Sequence, residues 1–534
     1  VWTKAQQGTA KGAKANATKD NSLSWIWDNI VNYTWKKSVH SITATGVFSA
    51  QKYQYDRLYG ASKDLSFNSL WYNLNGGAIE SLSSNFSQWT MMSYVGRINY
   101  GLMDRYLLTA SLRYDGSSRL SEGNKWALFP SAAIAWRITE EDFAKNLDWL
   151  SNLKLRFSYG QAGNTNSVSP YASEGTISGS VYYPFGTSTS VGNLPANIAN
   201  PMLTWERTSE YNVGLDFGFL NQRISGNIEY YNRTTNDLLM KRNIPVHLGY
   251  SSVTSNVGSV RNSGFELQLN TANIMTKNFA WNTTINLAYN KNEIVSLADE
   301  EDLSNYSIHL QGMRGRYSDK RFIGKPVDTN WTQNTIGVWQ LGEEEEAAKY
   351  GCVPGNFKIK DYNNDGKLTD DDYIIDGKRT PDWTGGMTNM FKIYDFDFSF
   401  HMYFQAGATQ YDRFFENFAL EWNSQNFNNL RTNYWTPENP SNTMGRPSQM
   451  GSRGNIAYER TDFLKVSYIT LGYTLNKRLM SKWGLDNARI YVTVQNPFIL
   501  TKFRGLDPEQ PDLTNIGDTD GMTMNALLGV NISF

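Results

Sequence analysis

Apolar and polar residues alternate along this chain in segments about ten residues long, the length a tilted strand needs to cross a bilayer. Between Ser24 and Trp35, the residues Trp25, Trp27, Val31, Tyr33 and Trp35 share one face, while Ser24, Asp28, Asn32 and Thr34 share the other. Tyr106, Leu108, Ala110, Leu112 and Tyr114 alternate with Thr109, Ser111 and Arg113. Leu153, Leu155, Phe157 and Tyr159 alternate in the same way with Lys154, Arg156 and Ser158. Helical spacing fits none of these runs. About fifteen such segments begin near Ser24, His40, Met91, Arg105, Trp126, Leu153, Thr208, Arg223, Ser263, Phe279, Gly385, Phe396, Phe463, Asn487 and Met524. The stretch from Phe463 to Leu475 changes register midway, which predicts a bulge.

The connections alternate in length. Short ones fall near Lys36, Asp104, Asn221, Thr276 and Asp395, and long ones over about 55–90, 163–207, 234–262, 291–384, 406–462 and 496–523. Short turns on one side and long loops on the other are the signature of an outer-membrane β-barrel with extracellular long loops, and a soluble sandwich has no reason to keep that order. The fold expected is all-β, a transmembrane antiparallel barrel over 24–534, with 1–23 the polar remnant of an extracellular loop. The last segment places Ala526, Leu528, Val530, Ile532 and Phe534 on one face. If the long loops are outside, the first and fifteenth segments both run toward the periplasm. A closed barrel with both ends there needs an even strand count, so an odd number of strands is expected to precede residue 1.

Composition agrees. Trp, Tyr and Phe number 17, 31 and 26, beside 43 Gly, which suits many strands, turns and aromatic girdles. With 50 Lys+Arg against 51 Asp+Glu there is no basic field to draw nucleic acid. The mean hydropathy of −0.51 and the lack of a long apolar run exclude membrane-spanning helices but not strands. The single cysteine, Cys352, makes no intrachain disulfide, and no Cys and His spacing resembles a zinc site.

Several stretches resemble the SusC/RagA family of TonB-dependent outer-membrane transporters. They include Ser93-Tyr-Val-Gly-Arg-Ile-Asn-Tyr100, Asp104-Arg-Tyr-Leu-Leu-Thr-Ala-Ser-Leu-Arg-Tyr-Asp-Gly-Ser-Ser-Arg119 and Phe129-Pro-Ser-Ala-Ala-Ile-Ala-Trp-Arg137. Leu153 to Asn164, Lys360 to Leu368, Thr380 to Gly386, Phe463 to Tyr473 and Val494 to Phe498 continue the likeness in the same order. The resemblance implies a barrel of about 22 strands, of which about fifteen are here, and an N-terminal plug that contacts TonB and its partners ExbB and ExbD. It also implies a SusD-like surface lipoprotein and import of an oligosaccharide or peptide across the outer membrane, with no enzymatic step. A passive porin and an extracellular carbohydrate-active β-protein are the rival readings. The second predicts neither the loop alternation nor the aromatic final residue.

One constellation carries sharper chemistry. Asp361-Tyr-Asn-Asn-Asp-Gly-Lys-Leu-Thr-Asp-Asp-Asp372, within the long loop 291–384, approaches the EF-hand pattern. Asp361, Asn363, Asp365, Lys367, Thr369 and Asp372 fall at the ligand positions and Gly366 at the sharp turn. Asp372 stands where Glu is usual, which argues for weak Ca²⁺ binding or for Mg²⁺; the plainer reading is an Asx-rich turn without an ion. Trp331, Trp339, Trp383, Trp422 and Trp435 lie in or beside long loops, where flat rings can stack on a solute or pack into the loops themselves. Inward Lys154, Arg156, Arg223, Arg233 and Arg489 can meet an anionic solute, although a wet lumen tolerates such charge. The four histidines form no H-E-x-x-H, and neither G-x-S-x-G nor a Walker A spacing occurs.

Overall fold

The computed structural model describes residues 13–65, 72–245, 247, 249–250, 252–416, 419, 432–447, 452–476, 480, 484–510 and 522–534. Fifteen antiparallel strands follow one another in a single sheet in chain order. They are β1 (Ala13–Lys37), β2 (His40–Leu65), β3 (Ala78–Leu102), β4 (Tyr106–Ser117) and β5 (Trp126–Arg137). Next come β6 (Leu150–Asn164), β7 (Glu206–Phe219), β8 (Ile224–Asn236), β9 (Ser259–Met275) and β10 (Phe279–Ser296). The last five are β11 (Trp383–Ile393), β12 (Phe396–Ala406), β13 (Phe463–Thr474), β14 (Asn487–Thr501) and β15 (Asn525–Ser533). Each expected segment is one of these strands. The bulge falls at Ser467, which is skipped in the pairing of β13 with both β12 and β14.

Short turns are made by residues that accept the left-handed conformation a tight hairpin demands. Ser38 joins β1 to β2 at φ 53°, Met103 and Asp104 join β3 to β4 at φ 55° each, and Tyr394 joins β11 to β12 at φ 54°. The other ends of the strands open into the long loops, so the alternation of lengths is observed.

Two expectations are corrected. Residues 13–23 of the segment expected as a polar loop remnant are strand, pairing with β2 as far as Leu65, and β3 pairs back from Ala78. The long loop expected over 55–90 is therefore mostly sheet, since β3 pairs with β4 only from Met91 onward and a three-stranded extension carries on without it. The hydrophobic pattern missed this because both faces of the extension are polar enough to hide the period.

By packing, the chain divides into two compact units, 1–134 with 159–209 and 235–257, and 135–158 with 210–234 and 258–534. In the first, Leu120, Phe129, Val168, Leu203, Trp205 and Leu239 form a core at the loop ends of the strands. Gly163 is required there, because a Cβ would lie 2.2 Å from Phe129 and 2.7 Å from Trp205. In the second, the loops after β10 and β12 share a core of Val338, Phe357, Ile359, Phe415, Trp435, Met444 and Ala457. A further core gathers Leu303, Leu310 and Phe322.

Candidate functional site

The two faces of the wall differ in kind. Along β4, Tyr106, Leu108, Ala110 and Leu112 are exposed, while Thr109 and Ser111 between them are half-buried. Large apolar groups are thus the outward ones, the reverse of a protein folded in water, and the arrangement a lipid-facing surface requires.

The polar face is joined laterally by hydrogen bonds between side chains on neighbouring strands. Thr45 donates to Asn32 at 2.7 Å and Thr109 to Asn99 at 2.9 Å. Thr283 and the Trp281 indole both donate to Asn389, at 2.8 and 2.9 Å. The basic side chains expected here are paired. Arg156 binds Asp216 and Glu229, each at 2.7 Å, and Lys154 lies 3.3 Å from Asp216. Asn212 and Asn227 complete the shell of Glu229 at 3.1 and 2.9 Å. Arg233 is held by Glu210 at 2.6 Å and Arg489 by Asp397 at 2.8 Å, while Arg223 donates to the carbonyls of Ala272 and Asn273. These cations knit the wall rather than standing ready for a solute.

Of the tryptophans in or beside the long loops, the described ones each pack against other side chains. Trp339 and Trp435 are buried, the first stacked near Tyr350 under Lys358 and the second donating its indole N–H to Gln340 at 3.0 Å. Trp331 is half-buried against Phe322 and Tyr373. Trp383 begins β11 beside Tyr289 and Phe265. Trp422 lies outside the described residues. Trp339 and Trp435 are buried, while Trp331 and Trp383 remain partly exposed.

The 361–372 loop is closed by its own backbone. Asp361 accepts from Asn364 N–H at 2.6 Å and from Gly366 N–H at 2.9 Å, and Asp365 accepts from Lys367 N–H at 2.8 Å. Asn363 Oδ1 accepts from the Asp365 N–H at 3.1 Å, and the Thr369 hydroxyl from the Asp371 N–H at 3.3 Å. Asp372 is fully buried, one carboxylate oxygen accepting from Tyr362 N–H at 2.8 Å and the other from Thr369 N–H at 2.9 Å. Among the described residues no three acidic, His or Cys side chains converge as ligands. Each Asp372 oxygen accepts one amide N–H and keeps a second lone pair, so these bonds suit an Asx-rich turn and leave the carboxylate able to ligate a cation as well. His309 packs edge-on against Tyr362 with ring centroids 4.0 Å apart, and burial pulls its pKa below the ordinary value.

Two solute-sized features were missed in the sequence. A cavity of about 710 Å³ lies among the loops of the first unit, lined by Tyr171, Thr176, Ser178, Asn197, Lys241, Tyr250 and Thr254. Its residues come from segments far apart in the chain, and no local pattern marks them. The β2–β3 extension carries the second. Tyr53, Tyr55 and Tyr59 project from one face, with Trp89 stacked on Tyr53 at 6.1 Å and Arg119 over Trp89 at 4.7 Å. The i, i+2 spacing of the first two tyrosines was the available signal.

A sheet with lipid-exposed apolar faces, a hydrogen-bonded polar wall and folded loops at one end defines a transmembrane β-barrel of the outer membrane. The family described as "TonB dependent receptor-like, beta-barrel" matches residues 3–384, and the chain belongs to it. It is 35% identical to the TonB-dependent receptor SusC of Bacteroides thetaiotaomicron over 83% of this chain and 44% of that protein. It is 32% identical to TonB-dependent receptor P26 of Formosa agariphila over 98% of this chain and 54% of that one. The chain thus spans about half the length of the curated relatives it matches. The RagAB peptide transporter shares the fold, with a TM-score of 0.79 at 23% identity over 98% of this chain and 56% of the other.

Proposed function

We propose that this protein forms barrel wall and extracellular loops of a SusC-like importer, which moves an oligosaccharide or peptide across the outer membrane. The energy comes through TonB, ExbB and ExbD, the partner is a SusD-like surface lipoprotein, and the chain performs no catalysis. The observation that carries this is the coexistence of a lipid-facing apolar strand face with loops that fold around cores of their own. A simple pore needs the first only; folded loops supply a shaped entrance on which a solute and a lid can seat. Kinship with SusC supports the substrate class and the partner. The test is uptake by cells carrying the full-length gene, with and without TonB. Loss of uptake without TonB is expected; unchanged uptake would make the protein a passive porin, and detergent-free solubility of the folded protein would return it to the extracellular β-proteins.

A further inference from the structure

Basic side chains of the wall are held in place: Lys154, Arg156, Arg233 and Arg489 each meet a carboxylate. Lys241 is not. It stands exposed in the hairpin that pairs Leu239–Asn243 with Ser252–Asn256, and among the described residues it has no ion pair, hydrogen bond or aromatic partner. Its side chain lines the cavity of about 710 Å³ among the loops of the first unit. No Asp or Glu is among the lining residues, and Lys241 is the one charged side chain there.

The rest of the lining offers hydroxyls. Thr254 lies directly across the ladder from Lys241, and Ser252 is two residues before it, so the three side chains share one face of the hairpin. Among the described residues the hydroxyls of Ser252, Thr254 and Tyr250 have no partner. Tyr171 accepts from the Gln88 N–H at 3.2 Å, which leaves its own O–H able to donate.

Bonds that involve no solute hold these walls in place. The Asn200 side chain donates to the Thr254 carbonyl at 2.6 Å, and Asn256 and Thr204 exchange two bonds at 2.8 and 2.9 Å. Asn197 accepts from the Thr176 N–H at 2.7 Å and donates to the Glu174 carbonyl at 2.9 Å. The cavity is thus formed before a solute arrives, and its volume falls within the roughly 300–1,000 Å³ of small-solute sites.

We propose that this cavity binds an acidic oligosaccharide, with an anionic group of the sugar, carboxylate or sulfate ester, on Lys241 Nζ and sugar hydroxyls on Ser252, Thr254 and Tyr250. The inference rests on the importer reading and narrows its substrate class. An anionic sugar completes a charge-assisted pair with the ammonium, which a neutral sugar leaves unused. A peptide brings an α-ammonium along with its carboxylate, and no lining residue is acidic to receive it.

The test is calorimetric titration of the purified full-length transporter in detergent, at low salt. The probes are oligogalacturonate, oligomannuronate, a sulfated galactan oligosaccharide, maltotriose and trialanine. At least one acidic probe should bind about tenfold or more tightly than maltotriose and trialanine, with an affinity that falls as salt is added. Preference for the uronates assigns the carboxylate, and preference for the galactan assigns the sulfate ester. Lys241→Gln should lower the affinity for that probe about tenfold, and Lys241→Arg should keep most of it. Thr254→Val, which removes a hydroxyl from the same face, should cost about threefold. Arg242→Gln, which removes the next charge on the opposite face of the hairpin, should leave binding unchanged. Heat-modifiable migration on a gel verifies that each variant is folded. No binding of any acidic probe, binding of maltotriose or trialanine as tight as that of every acidic probe, or equal losses from the Lys241 and Arg242 variants would each overturn the proposal. Binding is measured without TonB, so uptake that persists in cells lacking TonB would sink the importer reading and leave the binding result standing. Energised uptake of a solute that binds independently of Lys241 would do the reverse.

Discussion

The wall and the loops bury opposite things. In the wall, Val31 is 71% exposed and Leu112 54%, while the polar side chains behind them are paired across strands. In the loops, Phe322 and Phe357 are shut away from solvent, as in a protein surrounded by water. One chain therefore answers two solvents. The wall is stabilised by backbone pairing and lateral polar bonds, for which lipid offers no substitute, and its apolar face contributes by contact with lipid rather than by internal packing. The loops depend on apolar burial, and each needs a core.

That contrast predicts where substitutions act. Phe357→Ala removes the centre of the core shared by the two longest loops, at an expected cost of about 3–5 kcal/mol to the loops. Limited proteolysis of folded transporter should then cut within 297–382 and 407–462, while the heat-resistant barrel band on a gel persists. Loss of the barrel band would show that wall and loops fold as one unit.

Leu112→Arg reverses the test. Its side chain touches no core, so a soluble protein would tolerate it, but within a bilayer a basic residue on the lipid face costs up to about 2–4 kcal/mol. Refolding into lipid vesicles, followed by urea titration, should show a shift of that order. An unchanged midpoint would remove Leu112 from the lipid-facing surface.

The wall was legible in the sequence and the loops were not, for a physical reason. A strand with one face in lipid must alternate at every step, so Tyr106, Leu108, Ala110 and Leu112 announce themselves locally. A loop core is assembled from residues such as Val338, Phe415, Trp435 and Ala457, which are far apart in sequence and follow no period. The same distinction explains the tryptophans: their position in loops was visible, but whether a ring faces solvent or a core depends on partners that only the fold supplies. At 361–372 the residue types were legible and the direction of their oxygens was not, because it depends on which backbone amides, such as those of Tyr362 and Thr369, the fold brings to them. The strand at 13–23 was not legible because its pairing with β2 lends it order that its composition does not announce.

The loops also carry a buried titratable group. Asp412 is fully buried where the loop after β12 turns into a short helix, one oxygen capping the Phe415 N–H at 2.9 Å and the other without a partner. Burial, with Glu459 nearby, raises its pKa from 3.8 to about 6 against the opposing pull of the Phe414 and Phe415 amides and Arg504. The packed loop thus holds the proton more tightly than an opened one. Its contribution to stability is fully present below pH 3.8, falls as pH rises toward about 6, and is gone above that, a difference of at most about 3 kcal/mol. Amide-exchange protection of 407–416 and 457–461, corrected for intrinsic rates, should accordingly decline between pH 4.5 and 6.5 and then level off. Asp412→Asn, which keeps a capping oxygen and cannot ionise, should flatten that profile. A wild type already flat over this range would mean that the carboxylate is hydrated in the folded loop.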